Sequence, residues 1–153
     1  ASVCEVFAVQ STKKGVTLTF EPPDDKPQVR LAVGKLEQVV SNLVINALDA
    51  VEQGRGAVRL RVARPDPMTV SLEVEDNGPG VSSEIAQYIF DPFFSTKEVG
   101  AGTGLGLTVV YGIVTAAGGR VVLDGSPQLG GARFTVILPA GENSDKASGE
   151  ERR

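Results

Sequence analysis

The stretch of this sequence best suited to hold a ligand pairs Asp76-Asn77-Gly78-Pro79-Gly80 with alternate glycines at Gly100, Gly102, Gly104 and Gly106. Glycines at that density cost backbone entropy on folding, so they mark positive φ or close approach of the chain to something else. The last of them run into Leu107-Thr108-Val109-Val110, the start of a helical pattern. A glycine loop feeding a helix N-terminus presents free N–H groups and the positive end of the helix dipole, which suits a phosphate chain. The pattern is not a P-loop, because no Lys-Ser/Thr follows the glycines. It is not the dinucleotide fingerprint either, since the spacing is G-x-G-x-G and the acidic residue lies upstream. A plain turn fits the same glycines. The chemistry therefore depends on what the rest of the chain brings to them.

Two stacked amides come next. Apolar residues at Leu36, Val39, Val40, Leu43, Val44, Ala47, Leu48 and Val51 follow the i, i+3, i+4, i+7 template and predict a helix over 34–52. At about 100° per residue, Gln38, Asn42, Asn46 and Asp49 gather on a separate polar face. Asn46 falls near the border of the apolar stripe, where a half-buried amide needs a partner. Solvated or capping asparagines would explain the pair. Two of them stacked inside a strong helix, where Asn is a poor helix former, fit a ligand-holding role as well.

The other elements position these groups. Residues 3–14 have helical character ending in Lys13-Lys14-Gly15, a basic last turn and a stop. Residues 15–20 alternate as a strand, 21–27 form a Pro-rich loop, and 29–31 make a short edge strand. Strands over 57–63 and 69–75 flank a turn at Arg64-Pro65-Asp66-Pro67, and the second delivers Asp76 to a strand end where a loop can present it. Ser82-Ser83-Glu84 reads as the N-cap of a short helix through Tyr88. Phe90, Phe93 and Phe94 serve as core or lid anchors, and 95–102, poor in apolar residues, is a candidate mobile lid. A second long helix over 105–117 stops at Gly118-Gly119, strands follow over 120–124 and 132–138, and 142–153 reads as a disordered polar tail.

Composition narrows the function classes. The 153 residues fit one domain with its own core, and 41% hydrophobic against 22% charged residues is ordinary for a globular protein. Lys+Arg 15 against Asp+Glu 19 gives no general attraction to nucleic acid or anionic lipid. Cys4 is the only cysteine, which excludes an internal disulfide, fits a reducing cytosol and reads as a small buried hydrophobe. No run approaches the roughly 18 apolar residues of a membrane span. Histidine is absent, which removes imidazole acid–base chemistry and any phosphohistidine within this chain.

Four blocks in order resemble the catalytic ATP-binding domain of sensor histidine kinases, a superfamily shared with DNA gyrase, mismatch-repair ATPases and heat-shock chaperones. Asn42-Leu43-Val44-Ile45-Asn46-Ala47 resembles its N box and Asp76-Asn77-Gly78-Pro79-Gly80 its G1 box. Ile89-Phe90-Asp91-Pro92-Phe93-Phe94 resembles the F box, and Gly102-Thr103-Gly104-Leu105-Gly106-Leu107 the G2 box. Phe134-Thr135-Val136-Ile137-Leu138-Pro139 is similar to the closing strand, and Pro92-Phe93-Phe94-Ser95-Thr96-Lys97 is most similar to the nitrogen-regulation type. The resemblance implies an α/β two-layer sandwich of the Bergerat type, a mixed, mainly antiparallel sheet with helices on one face.

The same resemblance implies roles. Asp76 would accept a hydrogen bond from the adenine amino group, with Gly78 and Gly80 letting the backbone approach the base. Asn46, assisted by Asn42, would hold Mg²⁺, an oxygen ligand being suited to a hard cation. The amides of Gly102, Gly104 and Gly106 would cradle the phosphates. Phe94, Thr103, Leu105, Leu107 and Thr135 complete the implied nucleotide-binding set, and Lys97 is either a γ-phosphate contact or a solvated lid lysine.

Hydrolytic relatives carry a glutamate four residues before the metal-binding asparagine. Here that position is Asn42, which cannot take a proton from water, so slow hydrolysis and transfer to an outside nucleophile are expected. Glu37 points away from the Asn42 face. Asp49 stands where several subgroups have Lys or Arg and is expected to act against a γ-phosphate. Val33-Gly34 replaces the Asp with which the helix often starts.

The implied function is transfer of the γ-phosphoryl group of Mg²⁺-ATP to a histidine on a separate dimerisation domain, and thence to a response regulator. The expected division is a helical lead-in over 1–14 from an upstream acceptor domain, a catalytic domain over 15–140 and a tail over 141–153. The expected setting is cytoplasmic, without nucleic-acid or membrane contact, as a monomeric fragment of a homodimeric kinase. A nucleotide-binding docking module, a lid-switch ATPase and a serine-directed kinase of the anti-sigma type remain as alternatives.

Overall fold

The computed structural model describes residues 7, 9, 11–23, 28–82, 84 and 106–141. Five strands form one mixed sheet: β1 (Thr17–Glu21), β2 (Ala57–Asp66), β3 (Thr69–Asp76), β4 (Arg120–Gly125) and β5 (Ala132–Pro139). Their order is β1-β2-β3-β5-β4, parallel for β1 with β2 and antiparallel elsewhere. Helices α1 (Val33–Ala50) and α2 (Gly106–Ala116) pack on one face, the sandwich expected from the sequence.

The core follows from alternation. Leu72 and Val74 of β3, Val58 and Leu60 of β2, and Phe134 and Val136 of β5 meet Leu43 and Val44 of α1 and Val110 and Val114 of α2. Successive side chains on a strand point to opposite faces, so Glu73, Glu75, Arg133 and Thr135 lie on the face away from the helices. That face carries an ion-pair ladder in which Arg133 binds Asp124 and Arg61 binds Glu73.

Element boundaries differ from expectation where local packing decides them. Helix α1 ends at Ala50 because Val51 turns extended, with φ −97° and ψ 156°, and drops into the core. A Cβ on Gly56 would lie 2.5 Å from Val51 Cγ2, so the glycine makes that burial possible. Strand β2 runs through Pro65 to Asp66, past the expected turn, with a register shift between Ala63 and Asp66 that accommodates the proline. Asp66 then closes the reversal by accepting from Met68 N and Thr69 Oγ1. The expected edge strand over 29–31 is a single bridge between Val29 and Ala140.

The segment before β1 is part of this packing. Phe7 joins the core, Ser11 is buried, and Val16 N donates to the Ser11 carbonyl at 2.9 Å.

Candidate functional site

Helix α1 is the rail along which the site is built. Its apolar stripe buries Val39, Leu43, Val44, Ala47 and Leu48, which turns Asn42 and Asn46 to a common half-buried edge. Asn42 Nδ2 donates to the Gly106 carbonyl at 3.2 Å. That bond brings the first residue of α2, where the glycine loop enters the helix, against the middle of α1. Because the acceptor is a carbonyl, the Asn42 amide must present its NH₂ there, which leaves Oδ1 for another partner. One turn on, Asn46 has no hydrogen-bond partner among the described residues.

Two turns beyond Asn42, α1 ends against the loop after β3. A Cβ at Gly78 would lie 2.5 Å from the Ala50 carbonyl and 3.1 Å from Asp76 Oδ1. Gly78 is therefore required for packing against the helix end, a different reason from approach to a ligand. Gly80 adopts φ +78°, the left-handed conformation that glycine tolerates. Asn77 clips the same loop in place: its Oδ1 accepts from Ala57 N at 2.8 Å and its Nδ2 donates to the Arg55 carbonyl at 3.0 Å.

Asp76 is 2% exposed, a carboxylate buried at the end of the sheet on its helical face. Its Oδ1 accepts from Gly78 N at 2.9 Å and Ala132 N at 3.2 Å, and its backbone carbonyl accepts from Gly131 N at 3.0 Å. Burial pushes the Asp76 pKa above the usual carboxylate value, and the two backbone hydrogen bonds partly oppose the rise. Both side-chain bonds fall on Oδ1, so Oδ2 is left without a partner among the described residues. A carboxylate held at one oxygen and uncommitted at the other among the described residues is suited to receive a hydrogen-bond donor.

Gly131 makes this arrangement possible. A Cβ there would sit 2.3 Å from Asp76 Oδ1 and 2.7 Å from Gly78 N. Neither Gly131 nor Ala132 carries a signal in the sequence beyond a Gly-Gly turn, since their contribution is through backbone amides.

The residues predicted for the site divide three ways. Asn42 meets Gly106 at the start of α2, with Leu107 following, and Asn46 lies one turn further along α1; Asp76 and Gly78 meet where α1 ends, and Gly80 lies beside Gly131. Thr135 does not join them: it pairs with Glu73 and Val122 on the face away from the helices, opposite to Asp76. Phe94, Lys97, Gly102, Thr103, Gly104 and Leu105 lie outside the described residues, as do most of the short helix expected after Ser82 and the expected tail. Asp49, expected to act against phosphates, forms an ion pair with Lys14 at 3.5 Å on the outer end of α1.

No group of three or more His, Cys, Asp or Glu side chains able to hold a metal exists among the described residues. The oxygen donors at the α1 edge are amides. Such a set fits a cation that arrives coordinated by phosphates and waters, as Mg²⁺ commonly does.

Residues 32–142 match the family described as "Histidine kinase-, DNA gyrase B-, and HSP90-like ATPase". The chain is 38% identical over 141 aligned residues to the sensor kinase CckA of Brucella abortus, covering 82% of this chain and 15% of that protein. It is 43% identical over 122 residues to the two-component sensor PprA of Pseudomonas aeruginosa, covering 76% of this chain and 13% of that protein. The catalytic domain of histidine kinase ThkA, in a nucleotide-free form, superposes with TM-score 0.77 at 28% identity over 90% of this chain and 89% of that one. Full-length ShkA in complex with AMPPNP gives TM-score 0.78 at 30% identity, over 93% of this chain and 29% of that one. The chain thus spans less than a sixth of the length of CckA and of PprA.

Proposed function

The chain belongs to the histidine kinase-, DNA gyrase B- and HSP90-like ATPase family, and from that premise we propose that it is the catalytic domain of a sensor histidine kinase. It binds Mg²⁺-ATP and passes the γ-phosphoryl group to a histidine on a separate dimerisation domain, from which a response regulator receives it. The observation that carries this reading is Asp76, buried at a strand end with Oδ1 held by two backbone amides and Oδ2 without a partner among the described residues. That oxygen accepts from the exocyclic amino group of adenine. Ala50, beside Asp76, lies eight positions after Asn42, so about 12 Å of helix runs from the base site to the phosphate site.

At the far end, Asn42 ties Gly106 to α1 and so aims the N–H groups of the α2 N-terminus at the triphosphate. Oδ1 of Asn46 and of Asn42 would hold the metal, and bound Mg²⁺ would supply charge neutralisation at the phosphate oxygens. In the same reading the amides of Gly102, Gly104 and Gly106 cradle the phosphates, Lys97 contacts the γ-phosphate, and Phe94, Thr103 and Leu105 complete the nucleotide-binding set. Thr135 has no part in it.

Hydrolysis is slow in this reading. The Asn42 amide is no base, and its N–H is already committed to Gly106. The chain aligns ATP and waits for an external imidazole, with alignment and electrostatics as the sources of rate. The Lys14–Asp49 pair weakens the docking-module alternative, because it accounts for a carboxylate that otherwise counts against phosphate contact. The lid-entry sequence Pro92-Phe93-Phe94-Ser95-Thr96-Lys97 is the feature that favours the nitrogen-regulation type. In this reading residues 1–14 lead in from the acceptor domain, 15–140 form the catalytic domain, 141–153 form a polar tail, and the setting is cytoplasmic. Among the described residues no helix is long and apolar enough to cross a membrane.

The test is phosphotransfer in two parts. The chain, γ-labelled ATP and Mg²⁺ are incubated with a separately folded histidine-bearing dimerisation domain. Acid-labile, base-stable label on that domain is expected. No label under saturating Mg²⁺-ATP would overturn the kinase reading.

A further inference from the structure

The turn between β4 and β5 is what holds Asp76, and it is itself held by a buried polar pair on the other face of the sheet. Ser126, 6% exposed, follows the last residue of β4. Its Oγ donates to Glu75 Oε1 at 3.2 Å and accepts from Leu129 N at 2.9 Å. Its backbone N donates to the Gly131 carbonyl at 2.8 Å, and its carbonyl accepts from Gly130 N at 3.0 Å. Glu75 is 2% exposed, and its second oxygen binds Arg59 Nη1 at 3.3 Å. Arg59 in turn pairs with Glu21 of the edge strand β1. The adjacent residues Glu75 and Asp76 therefore face opposite sides of the sheet, and both are fastened to one turn, Glu75 at its start and Asp76 at its end.

A buried carboxylate and hydroxyl are costly to keep unless they are fully bonded and do something a packed apolar pair would not. Here the bonds fix the six-residue span 126–131, whose last amide, with that of Ala132, sets the position of Asp76. A turn displaced at its Ser126 end carries Gly131 and Ala132 with it.

We propose that Ser126 is a positioning residue for adenine recognition: clasped to Glu75, it fixes the turn from which Gly131 and Ala132 orient Asp76 toward the base. The inference rests on the assignment of Asp76 to the adenine amino group, and its test separates the two claims. Binding of ATP and of purine riboside triphosphate, which lacks the 6-amino group, is measured by calorimetry on wild type, Ser126→Ala, the near-isosteric Ser126→Cys and the hydroxyl-retaining Ser126→Thr.

Wild type is expected to prefer ATP by about tenfold or more, the effect of one hydrogen bond to a charged group. In Ser126→Ala and Ser126→Cys that preference falls below about threefold while binding of the 6-deamino nucleotide changes by less than about twofold, and Ser126→Thr retains the preference. Should Ser126→Ala fail to fold, Ser126→Cys carries the same reading. Equal weakening of both nucleotides would mean general loosening and would overturn the positioning role. Full preference in the Ala or Cys variant would overturn it as well. A wild type without preference would overturn the assignment of Asp76 first, and the role of Ser126 with it.

Discussion

The side-chain amide of Asn42 donates to the backbone carbonyl of Gly106 at 3.2 Å across 64 residues of sequence, joining the middle of α1 to the first residue of α2. A carbonyl at a helix start needs no side-chain donor, because it lies at the end of the helix where acceptors find intrahelical partners. The bond therefore serves position. It sets the N-terminus of α2 at the height of the two stacked asparagines.

Replacing Asn42 with alanine should lower nucleotide affinity more than stability. One neutral hydrogen bond contributes about 0.5–1.5 kcal/mol, so the melting temperature falls by only a few degrees. ATP affinity measured by calorimetry should fall by about tenfold or more, because the α2 N-terminus and the Asn42 oxygen are lost to the phosphates together. Unchanged affinity would remove Asn42 from the site.

Asp76→Asn tests the other end. The amide oxygen can still accept from Gly78 and Ala132, so the fold should persist, but its NH₂ then meets the adenine amino group donor to donor. Affinity for ATP should drop by about 10- to 100-fold, the range of a hydrogen bond to a charged group. The raised pKa adds a pH dependence. The folded chain holds this proton more tightly than the unfolded chain, whose carboxyl keeps the ordinary value near 3.8. Stability from Asp76 is therefore present at low pH and is lost as pH rises from that value through the raised one. Nucleotide binding runs the opposite way, since protonation removes the acceptor. ATP affinity of wild type should weaken on acidification above the ordinary carboxylate range, and the Asp76→Asn variant should lack that slope.

Two glycine substitutions should separate close packing from open surface. Gly131→Ala places a methyl 2.3 Å from Asp76 Oδ1, and the shift it forces should cost about 1–3 kcal/mol and weaken ATP binding. Gly112 lies exposed in α2 with nothing within 4 Å of an added Cβ. Gly112→Ala should therefore stabilise by about 1 kcal/mol through helix propensity. Thermal melts of the two variants shifting in the same direction would contradict this.

Asp49 should prove irrelevant to phosphate. Its carboxylate pairs with Lys14 at 3.5 Å, and both side chains are about a third exposed, at 31% and 37%. Such pairs contribute at most about 1 kcal/mol. Asp49→Asn should change ATP affinity by less than about twofold, and a larger gain in affinity would show that the charge does reach the phosphates.

What the sequence made legible was periodic or conformationally demanding. The stripe from Leu36 to Val51 identified α1, alternation identified β2 and β3, and the Asp76 glycine pair marked a strand end. What it concealed acts through backbone amides and close contact. Gly131 is one of a Gly-Gly pair between two strands, and it is needed because any Cβ would strike Asp76. Ala132 has no side-chain chemistry and contributes an N–H. Thr135, in the closing strand, entered the nucleotide-binding set through the resemblance, but strand parity places it on the opposite face from Asp76. Asp49 was judged by its charge alone, and Lys14, remote in sequence, neutralises it. Ser126 and Glu75 meet across 51 residues, a separation that no local pattern encodes.

The most direct measurement is calorimetric titration of the chain with ATP and with GTP, each with and without Mg²⁺, beside Asp76→Asn. The proposed site predicts Mg²⁺-dependent, adenine-selective binding that the variant loses. Equal binding of ATP and GTP, or binding of ATP untouched by the substitution, would contradict it.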